Sequence, residues 1–295
     1  MKHIIPSFLL ILVLFSGIFT CCSQESRPLF TFGIVTDVHY ADIPDKDKRT
    51  YNQSLVKLEE CVDKMNEHAV DFLVELGDFK DIDESNSEEK SLIYLYRAEK
   101  VFSKFNGPRY HVLGNHDVDC LSKPQFLSVA INTGIPPTST YYSYNYKGIH
   151  FVVLDANFDS TGKDYEKGHF DWSDPNIPEQ ELKWLKKDLH KARGTSIVFC
   201  HQLLDGHGEH YVKNSREVRK ILEKSGKVAA VFQGHFHEGQ YHLMNGIHYY
   251  TLKALVEGSG KDNNSFAIVS VYPDMIKVRG FKRAESMQFS YQKGR

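Results

Sequence analysis

The chain has 295 residues, 41% hydrophobic and 25% charged, enough to bury a large core in one domain or two small ones. Its formal net charge is −2 at pH 7, and no run of lysines is interleaved with aromatic residues, which argues against nucleic acid as a partner. Several of the 15 histidines stand where strands are predicted to end.

The first residues have the pattern of an export signal. Lys2 precedes an apolar stretch from about Phe8 to Phe19 that is too short for a permanent membrane span. The segment GIFTCC resembles the lipobox of bacterial lipoprotein signals, in which a cysteine becomes the lipidated first residue, and Cys21 and Cys22 both fit. We predict a signal peptide over residues 1–21, a tether over 22–27, and an exported lipoprotein anchored to the membrane, with plain secretion as the alternative.

Residues 28–295 contain no Pro/Gly/Ser-rich linker, low-complexity tract or internal repeat, so we predict a single domain. In its first half, strands are predicted over LFTFGIVTD, DFLVELGD and RYHVLGNHD. Helices are predicted between them, over YNQSLVKLEECVDKMNEH and around residues 90–105. In the first helix an apolar stripe of helical spacing faces a core, formed by Leu55, Leu58, Val62 and Met65.

The second half continues the alternation. A hairpin is predicted to turn at Lys147 and Gly148, followed by a helix near 179–192, the strand TSIVFCH, a helix near 215–224 and the strand VAAVFQGH. The C-terminal third, from Gly239 to Phe281, reads as successive strands. This order favours parallel βαβ units, in two mixed sheets with helices outside. Cys61, Cys120 and Cys200 have no disulfide spacing and are predicted to be buried thiols.

Five predicted strands each end in residues that bind metals or transfer protons. In open α/β sheets the carboxyl ends of strands converge on one crevice, so these residues can meet although they are far apart in sequence. Alone, a D-x-H motif or an Asn after Gly is more often part of a turn, and a lone histidine at a strand end is usually a satisfied surface or core residue. It is the joint occurrence of the motifs that indicates a site. The motifs are TDVH with Asp37 and His39, LGD with Asp78, LGNHD with Asn115, His116 and Asp117, FCH with His201, and QGHFH with His235 and His237.

The ordered set D-x-H, G-D, G-N-H-[D/E], H and G-H-x-H resembles the signature of the calcineurin-like metallophosphoesterase superfamily, from about Phe30 to Phe281. That resemblance implies an α/β fold, a four-layer α-β-β-α sandwich of two mixed sheets. FGIVTDVHYAD, YHVLGNHD, GIHFVVLDA and GIHYYTLKALVEG are most similar to the manganese-dependent ADP-ribose/CDP-alcohol diphosphatases. Those proteins carry Gln where this chain has His39 and have a longer insertion between the central motifs, which bears on the substrate and not on the metals.

The superfamily implies two divalent ions that clamp a phosphate and activate a water. By resemblance Asp78 bridges the ions, Asp37, His39 and His237 complete one site, and Asn115, His201 and His235 complete the other. Imidazole with carboxylate suits Mn, Fe, Zn or Co better than Ca. Gly114 and Gly234 are predicted to let the backbone come close without a Cβ clash.

By resemblance, His116 protonates the leaving-group oxygen or stabilises charge on the phosphoryl group. Asp81 or Asp117 is predicted to orient it. The polar segment 157–180 carries Tyr165 and Trp172, and the loop after His201 carries His207, His210 and Tyr211. We expect substrate contacts among these residues, with a self-packed surface loop as the alternative.

These observations predict an exported dinuclear phosphohydrolase acting on a phosphorylated small molecule. No arginine cluster is visible near the motifs, which favours substrates with an organic group on both sides of the phosphate. The predicted reaction is cleavage of the diphosphate in nucleoside-diphosphate-linked sugars or alcohols. A general phosphodiesterase or phosphomonoesterase is the first alternative, and a non-catalytic metal-binding scaffold is the second. The sequence assigns no oligomeric state.

Overall fold

The computed structural model describes Met1 and residues 27–292. The predicted signal peptide and nearly all of the predicted tether lie outside the described residues. Within the described part of the chain, no helix is long and apolar enough to cross a membrane. The division into signal, tether and a single domain stays a prediction.

The elements follow the predicted alternation. In chain order they are β1 (Phe30–Val35), α1 (Ser54–Glu67), β2 (Phe72–Glu75), α2 (Glu88–Phe102), β3 (Arg109–His111), α3 (Lys123–Leu127), β4 (Tyr142–Tyr146), β5 (Ile149–Val153), α4 (Glu179–Lys191), β6 (Ser196–Phe199), α5 (Ser215–Ser225), β7 (Val228–Gln233), β8 (Gln240–Met244), β9 (Ile247–Thr251), β10 (Ser265–Val271), β11 (Met275–Lys282) and β12 (Met287–Ser290). The short helix α3 was not expected from the sequence; Ser122 caps it through a capping box with Gln125.

Two six-stranded mixed sheets result. The first has the order β12-β11-β10-β1-β2-β3, in which β1, β2 and β3 are parallel and β10 to β12 antiparallel. The second has the order β4-β5-β6-β7-β9-β8, with four parallel central strands and antiparallel edges. The predicted β4–β5 hairpin is confirmed, and Lys147 and Gly148 turn it at positive φ, 43° and 83°.

Three apolar cores separate four layers. One lies between the first sheet and α1 to α3, and it includes the predicted stripe residues Leu58, Val62 and Met65, each 0% exposed. An aromatic-rich core fills the space between the sheets. The third lies between the second sheet and α4 and α5. The predicted four-layer sandwich and the three buried free thiols are confirmed, and both sheets with all three cores lie within residues 27–292.

Candidate metal centre

The loops after β1, β2, β3, β6 and β7 meet at one edge of the sandwich. The backbone amides of Asp37 and His39 donate to the carbonyls of Gly77 and Asp78, each at 2.9 Å, so the first two loops run side by side. Asp37, His39, Asp78 and His235 are non-glycine residues with φ of 51°, 45°, 57° and 67°. Such conformations are costly and cluster at functional sites.

The first group of metal-capable side chains is Asp37, His39 and His237. The two imidazole Nε2 atoms lie 3.2 Å apart. Asp37 Oδ1 is 3.7 Å from Nε2 of His39 and 3.4 Å from Nε2 of His237. Three donor atoms therefore face one point, as a shared cation requires.

The second group is Asp78, His201 and His235. Asp78 Oδ2 lies 3.1 Å from His201 Nε2 and also 3.5 Å from His39 Nε2 in the first group. This carboxylate therefore lies between the two groups, where a bridging ligand is needed.

The lack of hydrogen-bond partners for several buried donor atoms also indicates that they bind metal ions. Buried polar atoms are almost always hydrogen-bonded. Four of the predicted ligand atoms are buried without a hydrogen-bond partner among the described residues: Asp37 Oδ1, Asn115 Oδ1, His201 Nε2 and His235 Nε2. Cations would satisfy all four.

Two glycines allow the loops to pack this closely, as the sequence predicted. A Cβ on Gly234 would lie 2.1 Å from Thr36 Oγ1 and 2.9 Å from Asp37 Oδ2. A Cβ on Gly114 would lie 2.1 Å from the Asp78 backbone nitrogen. Any side chain at either position would push a candidate ligand out of place.

Hydrogen bonds on the far nitrogens orient three of the imidazoles. Nδ1 of His39 lies 3.0 Å from Asp81 Oδ2, and Nδ1 of His237 lies 2.6 Å from Glu257 Oε1. Nδ1 of His201 lies 2.8 Å from the Leu76 carbonyl oxygen. These contacts direct each Nε2 toward the centre. Glu257 was missed from the sequence, where its only signal is its place in the motif GIHYYTLKALVEG.

Burial and neighbouring charges set the protonation of the centre. Burial alone raises the pKa of Asp37 and Asp78, but nearby histidines, chiefly His237 and His201 respectively, hold both pKa values well below the usual range. Burial, then His201, lowers the pKa of His235 to about 3. Burial alone lowers the pKa of His201 and His237, but nearby carboxylates, chiefly Asp78 and Asp37 respectively, raise the pKa of His201 to about 9 and that of His237 above its usual value. Because ionised carboxylates and neutral imidazoles are the forms that bind metals, cation binding would release protons from these two histidines.

His116 lies beside the first group, with its ring centroid 4.8 Å from that of His39. Its Nδ1 is 3.1 Å from Asp119 Oδ2 and 3.5 Å from Asp81 Oδ1, which leaves Nε2 available. Burial alone lowers the pKa of His116, but surrounding carboxylates, chiefly Asp81, raise it well above the usual range. Asp119, three residues further along the chain, was missed from the sequence.

The predicted orienting role of Asp117 is wrong. Its carboxylate accepts the backbone amides of Asp78, Phe79 and Gly114 at 3.0, 2.9 and 2.9 Å. Asp117 therefore fixes the loop that carries Asp78, while Asp119 and Asp81 contact His116.

The residues predicted to contact substrate lie in different places, and only some of them are beside the centre. Trp172 is 40% exposed, with its ring 6.3 Å from that of His235. His210 contacts both rings, with its own ring tilted against Trp172 at 5.7 Å and edge-on to His235 at 5.3 Å. These two residues form one wall of the centre.

The other three do not share that position. Tyr165 is 1% exposed and donates its hydroxyl to the Asp171 carbonyl at 2.6 Å, so it supports the loop from inside and the prediction of a substrate contact is wrong. Tyr211 packs on Gly206 and meets Gln240 at 3.4 Å. His207 is exposed and forms no hydrogen bond with any other described residue.

The sequence did not identify Arg49 as a site residue, because it lies outside the motifs, ten residues after His39. In the structure its Nη1 lies 3.8 Å from Asp81 Oδ2, and its side chain is 32% exposed. With Lys46, Lys48 and Glu257 it lines a cavity of about 470 Å³ next to the first group. One arginine therefore lies beside the first group, and it does not form the arginine cluster that the sequence lacks near the motifs.

Residues 30–239 match the model of the calcineurin-like phosphoesterase family. The chain belongs to this family and is a metal-dependent hydrolase of phosphoester bonds. Its cofactor is a pair of divalent metal ions, for which the two groups of side chains supply the donors.

Curated proteins similar to this chain include manganese-dependent ADP-ribose/CDP-alcohol diphosphatases. The chain is 27% identical to the manganese-dependent ADP-ribose/CDP-alcohol diphosphatase of Oryza sativa subsp. japonica, covering 94% of this chain and 98% of that protein. It is 24% identical to the Homo sapiens protein of the same name, covering 92% and 96%. Its fold is similar to that of a dimetal phosphatase from Danio rerio, with a TM-score of 0.79 and 23% identity over 90% of this chain and 100% of that one.

We predict that Asp78→Asn lowers metal content at both groups and abolishes hydrolysis, because a neutral amide bridges two cations far less well than a carboxylate. Metal per chain, measured by elemental analysis after dialysis, checks this. The matched control is Asp63→Asn, an exposed position on α1. Two retained metals with near-normal turnover in Asp78→Asn would contradict the assignment.

Proposed function

We propose that this protein hydrolyses the phosphoanhydride of a nucleoside diphosphate linked to a sugar or alcohol. The observation that carries the proposal is the placement of the candidate centre between Trp172, beside the second group, and Arg49, beside the first. A diphosphate with an organic group on each side needs both an aromatic surface and a second cationic contact. The names of the curated relatives support the same substrate class.

The candidate ligands are the seven side chains predicted from the sequence: Asp37, His39, Asp78, Asn115, His201, His235 and His237. Two ions held there would polarise a phosphate and lower the pKa of a bound water. Arg49 offers a positive charge to the neighbouring phosphate. Trp172 offers an exposed indole face on which a nucleobase can stack.

His116 is proposed to act on the leaving group. Its Nδ1 is held by Asp119 and Asp81, so its Nε2 is the atom that can donate a proton to the departing oxygen. A 26% exposed side chain beside His39 is within reach of a bound phosphate. A charge-stabilising role is the alternative, and leaving-group dependence separates the two.

His116→Gln should retain its metals and lose roughly 10²–10⁴-fold in turnover of substrates with poor leaving groups, the range expected for loss of a general acid. The loss should be much smaller for a good leaving group such as nitrophenolate, which departs without a proton. The measurement is kcat across a series of phosphodiesters of graded leaving-group pKa. His68→Gln, at the exposed end of α1, is the control. Equal losses across the series would assign His116 to charge stabilisation.

The substrate is tested by comparing kcat/KM for ADP-ribose, CDP-glycerol, a cyclic nucleotide and a simple phosphomonoester in one manganese buffer. We expect the two diphosphates to be preferred, and Trp172→Ala to raise KM for them with little effect on a small chromogenic diester that lacks a base. A monoester preferred by tenfold or more would overturn the diphosphatase proposal and leave the phosphohydrolase intact.

The site of action is proposed to be outside the cytoplasm. The basic start, the short apolar stretch and the cysteine pair at Cys21 and Cys22 support an exported lipoprotein. We expect the native gene product to sediment with membranes and to become soluble when both cysteines are replaced by serine. A native product found entirely in the soluble fraction would contradict lipidation and leave plain secretion.

A further inference from the structure

A groove of about 1120 Å³ lies between α4 and α5, on the outer face of the second sheet. Its walls carry basic residues at helical spacing: Lys183, Lys186 and Lys187 on α4, and Arg216, Lys220 and Lys224 on α5. These six side chains are exposed. Leu189 and Ile221 form part of an apolar floor, and Glu217 is the only acidic residue of the lining. We call this feature the α4–α5 groove.

Most basic side chains of the groove have no carboxylate partner, although several exposed lysines elsewhere do. Lys48, Lys90 and Lys147 pair with Glu238, Asp83 and Asp71 at 3.1, 2.6 and 2.8 Å. In the groove Lys183 pairs with Glu179 at 2.7 Å. The other five basic side chains form no ion pair with any described residue. In a chain whose net charge is −2, this surface therefore concentrates uncompensated positive charge.

The groove extends to the end of the sandwich opposite the metal centre. Lys227 directly precedes β7, and its Nζ donates to the carbonyls of Leu189 and Ala192 at 2.9 and 2.7 Å. The ends of α4 and α5 therefore lie where β6 and β7 begin, whereas His201 and His235 follow the ends of these strands. Because β1 also ends at the metal centre, its first residue, Phe30, lies at the same far end as Lys227.

This placement matters for a chain anchored at Cys22. Phe30, the first residue of β1, follows Cys22 by eight residues, which span at most about 29 Å, so the start of β1 would stay within that distance of the anchor. The adjoining end of the α4–α5 groove would then lie near the headgroups, with the metal centre facing away.

We propose that the α4–α5 groove binds the anionic headgroups of a phospholipid membrane. Lipid phosphate groups would provide anionic partners for the five basic side chains that form no ion pair. The apolar floor can accept the glycerol or the first acyl carbons of the lipid. Contact of several lysines with an anionic surface gives an affinity that rises steeply with their number, by roughly fivefold for each. The inference is independent of the proposed substrate, and it uses the proposed anchor only for orientation.

The test uses a chain that begins at Ser23, which lacks the anchor and retains residues 27–292; hydrolysis of a chromogenic phosphodiester shows that it is folded. Co-sedimentation is measured with vesicles of phosphatidylcholine alone and with about one third phosphatidylglycerol. We expect at least roughly tenfold stronger binding to the anionic vesicles, lost at about 1 M salt, where charges are screened beyond about 3 Å.

Charge reversal locates the site. Lys187→Glu, Lys220→Glu and Lys224→Glu together should lower anionic-vesicle binding by at least about tenfold while the diester is still hydrolysed. The control makes the same change in net charge at three exposed lysines elsewhere, Lys100, Lys261 and Lys277, and should bind like the parent. Equal losses in both triple variants, or equal binding to neutral vesicles, would overturn the proposal. Tighter binding to a single-stranded oligonucleotide than to vesicles, lost in the groove variant, would assign the groove to nucleic acid instead.

Discussion

The carboxylate of Asp78 is the point at which the contributions of the two sheets meet. Oδ1 accepts the backbone amide of His116 at 2.7 Å, which connects it to the loop after β3. Oδ2 faces His39 from the first sheet and His201 from the second, at 3.5 and 3.1 Å. The loop of Asp78 is itself fixed by Asp117, whose carboxylate accepts the backbone amides of Asp78 and Phe79.

Holding such a centre together is costly for the fold. Ionised carboxylates and imidazoles are gathered in a buried space, and four residues adopt strained left-handed conformations. The aromatic core between the sheets offsets this cost and keeps the strand ends at fixed positions. Phe32 stacks on Phe72 at 5.0 Å and meets Phe151, Phe199 and Phe232 edge-on at 5.7 to 5.9 Å. Bound cations would remove the remaining electrostatic penalty, so metal loading and rigidity should be coupled.

The sequence was informative where function is encoded in short contiguous motifs. Strand-end residues such as Asp37 and His235 could be predicted because parallel strands bring them to one edge, and α1 could be predicted from its apolar stripe. Arg49 and Glu257 could not be found this way, since their roles depend on how loops fold back over the centre. The prediction that Tyr165 contacts substrate was wrong for a related reason. The sequence of a polar loop does not show whether an aromatic ring in it is exposed, as that of Trp172 is, or buried, as that of Tyr165 is.

The central claim is that this chain holds two divalent ions close enough to share the Asp78 carboxylate. Manganese titration of the chelator-treated protein, followed by electron paramagnetic resonance, tests it most directly. The account predicts two ions per chain and the spectrum of an exchange-coupled pair about 3.5–4 Å apart. Saturation at one ion, or two ions with the uncoupled signal of isolated manganese, would contradict it.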